Sequence, residues 1–248
     1  MTFLGHSTVL VEMGDARILT DPVLFDRVSI LRRAVNPLPA RLYENIDVAV
    51  ISHLHLDHLD YRSLRLLGPD TKLVVPQGAG DLMRRKGFDN AIELPSGRSI
   101  DLGEGLTVTA TPAHHSGFRP PLGPRAEAVG YLLDHDSERV YFAGDTDLFP
   151  EMSEMEGVDL ALLPVWGWGP NLGRGHLNPA SACDALNLLK PRAAVPIHWG
   201  TLWPMGMGRV TPHRLTKPPI DFQRRAAETA PDVAVLLTPP GETVPIPR

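Results

Sequence analysis

Short apolar runs bounded by polar or turn-forming residues recur along the chain and predict buried β-strands. Four of these runs end beside a histidine or an aspartate: residues 47–51, 106–110, 139–143 and 193–197. Residues 2–20 predict a β-hairpin that turns at Gly14-Asp15. Because open α/β sheets place their sites at the carboxyl ends of buried strands, the four runs predict one converging site.

Segments with helical character lie between and after these strands. The predicted helices are residues 62–67, 80–86, 178–189 and 216–230, and further short strands are predicted at 72–75 and 233–237. Asn178 is a suitable N-cap, and Pro179 suits the first position of a helix. Strands alternate with helices but hairpins also occur, which predicts an α/β fold with mixed sheets. No linker, repeat or low-complexity tract interrupts the sequence, so we expect a single domain over residues 1–248.

Residues 51–60 read Ile-Ser-His-Leu-His-Leu-Asp-His-Leu-Asp and hold the densest group of metal-binding side chains. Imidazole and carboxylate are ligands for zinc and related divalent ions. In an extended segment His53 and His55 point the same way, and a turn at Asp57-His58 sends the next two side chains elsewhere. This arrangement suits two ions side by side. A histidine-rich surface loop is the alternative, but three of the ten histidines in 248 residues fall within six positions.

Three later strand ends supply further candidate ligands: Pro112-Ala113-His114-His115, Gly144-Asp145-Thr146 and Ile197-His198-Trp199-Gly200. In this order, after His-x-His-x-Asp-His, the motifs resemble the metallo-β-lactamase superfamily. Residues 4–12 and 18–22 also resemble the branch that contains N-acylphosphatidylethanolamine-hydrolysing phospholipase D and the L-ascorbate-6-phosphate lactonases. The resemblance runs from Leu4 to about Thr201.

The resemblance implies a four-layer αββα sandwich with the site at one edge, and a centre for two divalent metal ions. Carried over position by position, the ligands are His53, His55 and His115 on the first ion, Asp57, His58 and His198 on the second, and Asp145 between the two. The family motif has one residue between Ala113 and the ligand, which selects His115 and leaves His114 as a neighbour. Ligands that are all histidine or aspartate favour Zn²⁺, with Mn²⁺ or Fe as alternatives.

Two divalent ions about 3.5–4 Å apart can share a hydroxide and lower the pKa of water towards neutrality. Such a hydroxide attacks a phosphoryl or carbonyl centre, and we expect Asp57 to orient it as well as to bind metal. The leading hypothesis is a hydrolase that acts on a phosphodiester or related ester. A lactonase of the same fold and a catalytically idle metal-binding protein are the alternatives, and the complete ligand set counts against the idle protein. The single cysteine, Cys183, is expected in the core, which argues against β-lactamases that bind metal through a cysteine.

Two further residues have open assignments. Asp21 either orients a ligating histidine or is a plain turn aspartate before Pro22. His176 lies in a glycine-rich loop directly before Asn178. It either faces the substrate and donates to an oxygen as charge develops, which would make it catalytic with Asp57, or it is an exposed or capping histidine.

Net charge and the lengths of the apolar runs limit the classes of partner that we expect. A net charge of −5 argues against extended nucleic-acid binding, which needs a basic face. No apolar run approaches the roughly 20 residues of a membrane span. The amino terminus does not resemble a secretory signal, so a cytoplasmic protein is expected. Few residues precede the first motif, which makes contact with a membrane surface doubtful. Residues 23–42 could form a lid, although a connecting loop is favoured, and the oligomeric state is open.

The 25 prolines and 22 glycines gather in residues 36–40, 117–124, 167–175 and 204–208, which predicts long loops. All four tryptophans lie in or beside these loops: Trp166, Trp168, Trp199 and Trp203. This placement predicts an aromatic, partly apolar rim over the metals and a small-molecule substrate with an apolar portion.

Overall fold

The computed structural model describes residues 1–36, 38–167, 173–206 and 212–247. Its strands are β1 (Thr2–Gly5), β2 (Thr8–Met13), β3 (Ala16–Thr20), β4 (Arg27–Val28), β5 (Leu31–Arg33), β6 (Val48–Val50), β7 (Lys72–Pro76), β8 (Ala91–Leu94), β9 (Ser99–Asp101), β10 (Leu106–Pro112), β11 (Val129–His135), β12 (Glu138–Phe142), β13 (Leu160–Pro164), β14 (Ala193–Ile197), β15 (Leu202–Pro204) and β16 (Ala234–Val235). Its α-helices are α1 (Tyr61–Leu67), α2 (Gly80–Arg85), α3 (Pro179–Leu189) and α4 (Lys217–Thr229), and short 3₁₀ turns occupy Ala40–Leu42, Pro150–Glu154 and Pro212–Leu215.

Two mixed sheets form the centre of the fold. The first has the strand order β1-β2-β3-β6-β7-β8, antiparallel up to β3 and parallel from β3 to β8. The second has the order β16-β14-β13-β12-β11-β10-β9, parallel from β16 to β12 and antiparallel beyond. The prediction of mixed sheets is therefore confirmed.

The sheets pack face to face with helices on both outer faces. Alternation along each strand decides this, because successive side chains point to opposite faces. Val48 and Val50 lie in the core between the sheets, whereas Ala49 packs in the cluster beneath α1 and α2. In β13, Leu160 and Leu162 join the central core and the alternate residues pack against α3 and α4. The layers are thus α, β, β and α, as expected.

Helix α3 begins where its capping residues predict. The Asn178 side chain accepts hydrogen bonds from the backbone N–H groups of Ala180 and Ser181. The Ser181 hydroxyl accepts in return from the Asn178 N–H, which completes a capping box. Cys183 is buried on the inner face of this helix, as expected. Of the helices in the described ranges, none has the length and apolar content that crossing a bilayer demands.

Two parts of the chain differ from the sequence-based prediction. Residues 2–20 form three strands rather than one hairpin, because the chain turns at His6-Ser7 as well as at Gly14-Asp15. Residues 23–42 contribute β4 and β5 to a small third sheet with β15. This sheet ties the segment to the chain just after His198, so the favoured connecting loop is instead partly ordered by β-pairing.

Candidate metal centre

Strand ends from both sheets bring the predicted residues to one edge of the sandwich. His53 follows β6 in the first sheet, and Asp145 and His198 follow β12 and β14 in the second. Gly144 allows the close approach, since a Cβ at this position would lie 2.6 Å from the Ser52 Cβ and 3.0 Å from the Val129 carbonyl oxygen. The loop after β10 adds His115.

A first group of nitrogens comes from His53, His55 and His115, whose ligand atoms all lie within 4.8 Å of one another. His115 Nε2 is 3.1 Å from His55 Nδ1. The three rings are roughly perpendicular, with interplanar angles of 75–81°. His53 Nε2 is buried and has no hydrogen-bond partner among the described residues. Three imidazoles that turn their nitrogens to a common point form a suitable donor set for a cation.

A second group contains Asp57, His58 and His198, together with His6. The Nε2 atoms of His58 and His198 are 3.1 Å apart. Each of these nitrogens also lies 4.0 Å from Asp57 Oδ2. All four side chains are buried or nearly so. The turn after His55 therefore sends the second half of the motif to a separate group of ligand atoms.

Asp145 lies between the two groups. Its Oδ2 is 3.3 Å from His58 Nε2 and 3.3 Å from His198 Nε2 in the second group, and 4.0 Å from His115 Nε2 in the first. Its Oδ1 is buried without a hydrogen-bond partner in the described part of the chain. One carboxylate thus reaches both sets of nitrogens, as a bridging ligand must.

Four of the candidate ligands are held in place by a contact at Nδ1, the ring nitrogen that does not face the other ligands: His53, His58, His115 and His198. His58 Nδ1 lies 2.6 Å from Asp21 Oδ2, and His198 Nδ1 lies 2.5 Å from the Trp166 carbonyl oxygen. His115 Nδ1 lies 2.8 Å from the Gly175 carbonyl oxygen, and His53 Nδ1 lies 2.9 Å from the hydroxyl of its neighbour Ser52. A carbonyl or carboxylate on one nitrogen fixes the proton there and leaves the other nitrogen free to bind metal.

Asp21 is more than a turn residue. It is fully buried and accepts from the Ser52 N–H at 2.7 Å and the Ser52 hydroxyl at 2.6 Å, in addition to His58. Burial raises the pKa of Asp21, although His58 and Ser52 oppose this effect. Of the two assignments left open by the sequence, the structure favours the one in which Asp21 orients a histidine.

Burial and neighbouring charges perturb the whole group. Burial lowers the pKa of His53 well below its ordinary value, that of His55 to about 4 and that of His198 to about 3. Burial alone would raise the pKa of Asp145, but His198 and His58 outweigh it and hold that pKa well below the ordinary value. The pKa of Asp57 is likewise held low, chiefly by His58 against burial.

His58 is the exception among the histidines. Burial would lower its pKa, but Asp145 and Asp21 raise it well above the ordinary value. Neutral imidazoles beside ionised, buried carboxylates leave negative charge that a divalent cation would balance. The unpaired His53 nitrogen, the unpaired Asp145 oxygen and the facing imidazole nitrogens together fit metal ions.

His6 is a site residue that the sequence analysis did not identify. Its Nε2 lies 3.2 Å from Asp57 Oδ2, and its ring centroid lies 4.0 Å from that of His198. His6 also has a positive φ of 56°, as do Asp21 at 34° and His198 at 62°. Such backbone strain is uncommon and concentrates at functional sites. The available signal was the Gly5-His6-Ser7 turn directly after the first strand.

His114 and His176 occupy different positions relative to the centre. The exposed His114 stacks its ring on Phe149, with centroids 5.0 Å apart, and contributes to neither group of ligand atoms. His176 Nε2 lies 3.6 Å from Asp145 Oδ2, and the side chain is 21 % exposed. His176 does not cap α3, because Asn178 does. Its ligand atom lies within 4.8 Å of those of His115 and Asp145, which places His176 at the border of the centre.

The predicted tryptophan rim is wrong for two of its four members. Trp199 stacks on Phe3 with centroids 5.8 Å apart and packs against both large cores, and its Nε1 donates to the Pro196 carbonyl oxygen. Trp203 is buried, with an exposure of 5 %. Their loops fold back onto the sheets, so these rings serve as core residues. Trp166 is half-buried, and Trp168 lies outside the described residues.

Comparison with known proteins identifies the family. A family model described as a beta-lactamase superfamily domain matches residues 16–199. The chain belongs to the metallo-β-lactamase superfamily. The enzyme is a metal-dependent hydrolase, since its relatives and structural neighbours are named as such.

Three relatives illustrate the similarity. N-acyl-phosphatidylethanolamine-hydrolyzing phospholipase D 1 of Caenorhabditis elegans is 34% identical over 231 residues, which cover 83% of this chain and 64% of the phospholipase. The chain therefore spans less than two thirds of that relative. A metal-dependent hydrolase of Pelotomaculum thermopropionicum is 31% identical over 255 residues. The matched region covers 98% of this chain and 98% of that hydrolase. The structure of Igni18, a metallo hydrolase of Ignicoccus hospitalis, matches with a TM-score of 0.75 at 26% identity, over 98% of this chain and 96% of that one.

Proposed function

We propose that the enzyme is a dinuclear metal-dependent hydrolase that cleaves a phosphodiester or a related ester. The position of Asp145 carries the proposal, because one carboxylate oxygen lies within 4.0 Å of nitrogens from both groups of histidines. His53, His55 and His115 would hold one ion, Asp57, His58 and His198 would hold the other, and Asp145 would bridge them. Zn²⁺ is the expected metal, with Mn²⁺ or Fe as alternatives, because all donors are imidazole or carboxylate.

When bound, two divalent ions supply a water activated at neutral pH and positive charge for the oxygen that becomes negative. The chain's own groups supply position and polarity. Asp57 stays ionised because its pKa is held low, chiefly by His58 against burial, so it can accept a hydrogen bond from the attacking water and orient it. A carboxylate in this role must lie within hydrogen-bond reach of the water's proton.

His176 is proposed as the residue that faces the substrate. It is the partly exposed imidazole at the border of the centre, 3.6 Å from Asp145. Its ring lies edge-on to His115, with centroids 4.7 Å apart, which limits its freedom to turn. A donor placed here can stabilise a phosphoryl or carbonyl oxygen as charge develops on it.

The phosphodiester is preferred because the Caenorhabditis elegans relative is named for hydrolysing an N-acyl-phosphatidylethanolamine. The expected apolar portion of the substrate rests on the same name, since Trp199 and Trp203 do not form the rim that first supported it. A lactone remains the alternative substrate because the same donors can polarise a lactone carbonyl.

Metal content is the first test. Protein purified without chelator and reconstituted with zinc or manganese should hold about two ions per chain by elemental analysis, because Asp145 lies within 4.0 Å of histidine nitrogens from both proposed ligand sets. Asp145→Asn should lower this stoichiometry. The exposed Asp70→Asn is the matched control and should not. A wild-type content at or below one ion would contradict the dinuclear proposal.

Reaction class is the second test. The metal-loaded enzyme is compared on bis(p-nitrophenyl) phosphate, an aliphatic lactone, an aryl ester and a β-lactam. We expect the phosphodiester to be hydrolysed fastest, and faster turnover of the lactone would select the lactonase instead. Robust β-lactam hydrolysis without activity on the phosphodiester or the lactone would show that the substrate class is wrong.

A further inference from the structure

A cavity of about 520 Å³ borders the loop that carries the metal-binding residues. Three arginines and one aspartate line it: Arg27, Arg62, Arg119 and Asp60. Their formal charges give the cavity wall a net charge of +2. None of the residues assigned to the metal centre lines this cavity.

Arg119 is a buried cation that forms no ion pair within the described residues, although the charge of Asp60 acts on it. Its exposure is 9%. Its guanidinium donates to the backbone carbonyls of Leu54 at 2.5 Å and Leu59 at 3.2 Å, and it lies 4.7 Å from the centre of the Tyr61 ring. A buried charge usually has a close partner of opposite sign, whereas this arginine is held by carbonyls and only partly balanced by Asp60.

The single carboxylate of the cavity, that of Asp60, already binds neighbouring groups of the protein. Asp60 lies 3.2 Å from Arg62 Nε and accepts a hydrogen bond from the Ser63 hydroxyl at 2.8 Å, and it is also the N-cap of α1. Arg62 in turn donates to the backbone carbonyl of Arg27 at 2.5 Å. The Arg27 Nε donates to the Ser29 carbonyl at 3.1 Å. Backbone contacts thus restrain both exposed arginines beside the buried one.

The rest of the wall is largely apolar, with Val28, Leu56 and Leu59. A volume of this size lies in the range of small-molecule sites, which are about 300–1,000 Å³. Guanidinium groups bind phosphate oxygens in pairs and tolerate desolvation better than ammonium groups. A phosphate dianion would neutralise the net charge of +2, and an organic portion would pack on Leu56, the half-buried apolar side chain of the wall.

We propose that this cavity binds a phosphate group carried by a small organic molecule, at a site separate from the metal centre. The ligand class is a phosphate monoester or phosphonate, with free inorganic phosphate as the other source of the same chemistry. The inference goes beyond the proposed hydrolysis and does not depend on it, because binding here uses only the arginine side chains and the apolar wall.

The test is isothermal titration calorimetry of the metal-loaded enzyme with phenylphosphonate, whose carbon–phosphorus bond resists hydrolysis. The double variant Arg27→Gln/Arg62→Gln should bind at least tenfold more weakly than wild type. Arg65→Gln is the matched control, since Arg65 lies on α1 but faces Phe88 and the Lys86 carbonyl rather than this cavity. It should bind like wild type, and all three proteins should have the same metal content.

Inorganic phosphate is titrated in parallel to distinguish the two sources. Weaker binding than phenylphosphonate supports an organic ligand, whereas equal affinity assigns the site to free phosphate and overturns the organic part. If the double variant and Arg65→Gln both match wild type, the phosphonate binds elsewhere, such as on the metals, and the site is refuted. Should the double variant not fold, Arg27→Gln alone makes the same comparison, because Arg27 is exposed. No turnover is measured, so failure of the proposed hydrolysis leaves this result interpretable.

Discussion

Replacing Asp21 by asparagine exchanges one oxygen that supports His58 and Ser52 for an NH₂ group and changes none of the proposed ligands. The carboxylate accepts from three donors: the Ser52 N–H, the Ser52 hydroxyl and His58 Nδ1. Asparagine has nearly the same shape, but it presents an NH₂ group where one of the oxygens was. The variant therefore tests orientation of His58 rather than packing.

The magnitude follows from the two ways in which the amide can lie. If its NH₂ group faces His58 Nδ1, that nitrogen must give up its proton and accept. The proton then moves to Nε2, which can no longer bind metal. If the NH₂ group instead faces the Ser52 N–H, two donors meet in a buried place, at a cost of about 1–3 kcal/mol. The first orientation accounts for the 10- to 100-fold loss of metal affinity typical for such partners, equivalent to about 1.4–2.8 kcal/mol. The second orientation preserves the tautomer, but only with the buried donor pair.

The assay is a zinc titration against a competing chelator, which resolves the affinity of the second equivalent. Asp21→Asn should lower this affinity at least tenfold relative to wild type and to the exposed control Asp70→Asn. Circular dichroism of the metal-free variant checks that the fold is intact. A second zinc bound with wild-type affinity would refute the argument that Asp21 sets the His58 tautomer.

Three further predictions concern the histidines. His115→Ala should lose metal while His114→Ala retains it, because only His115 joins a group of ligand atoms; elemental analysis decides, and the reverse result would exchange the two roles. His176→Ala should keep its metals while kcat on the preferred ester falls on the order of 10²-fold; unchanged turnover, or loss of metal, would rule out the assigned role. Metal-free protein should lose stability as the pH falls below about 6.5. Burial lowers the pKa of His55 to about 4 and that of His198 to about 3, so the unfolded chain binds more protons in this window. The raised pKa of His58 acts in the opposite direction but is one group against several. Urea unfolding at pH 7 and pH 5 measures the difference, and equal stability would contradict the prediction.

The sequence predicts what is encoded in contiguous residues. The run from His53 to His58 contains both the alternation that groups His53 with His55 and the turn that separates Asp57 and His58 from them. Helix α3 was predicted from Asn178 and Pro179 because capping is a local interaction. Burial of strands on both faces gives continuous apolar runs, so the strands that end in candidate ligands were recognisable.

Features that depend on distant contacts were not predictable in this way. His6 is an isolated histidine, and only the fold brings it to Asp57, 51 positions along the chain. Strands β4, β5 and β15 have two or three residues each, too few to show a period, and β5 pairs with a partner far along the chain. Trp199 lies in a loop rich in glycine, but its ring reaches Phe3 on the first strand. In each case tertiary packing overrides the local pattern.

The division of the candidate ligands between the two sheets links metal binding to the stability of the fold and to the order in which it forms. His53 to His58 follow a strand of the first sheet, whereas His115, Asp145 and His198 follow strands of the second. Ions held by both would act as a cross-link between the halves of the sandwich and would stabilise the folded state in proportion to the logarithm of the free metal concentration. The last of these residues directly follows β14, one of the last strands in chain order, so the cross-link can form only after this strand is in place. Metal loading would then be a late step of folding, and cells short of metal would accumulate a chain whose two sheets separate more readily.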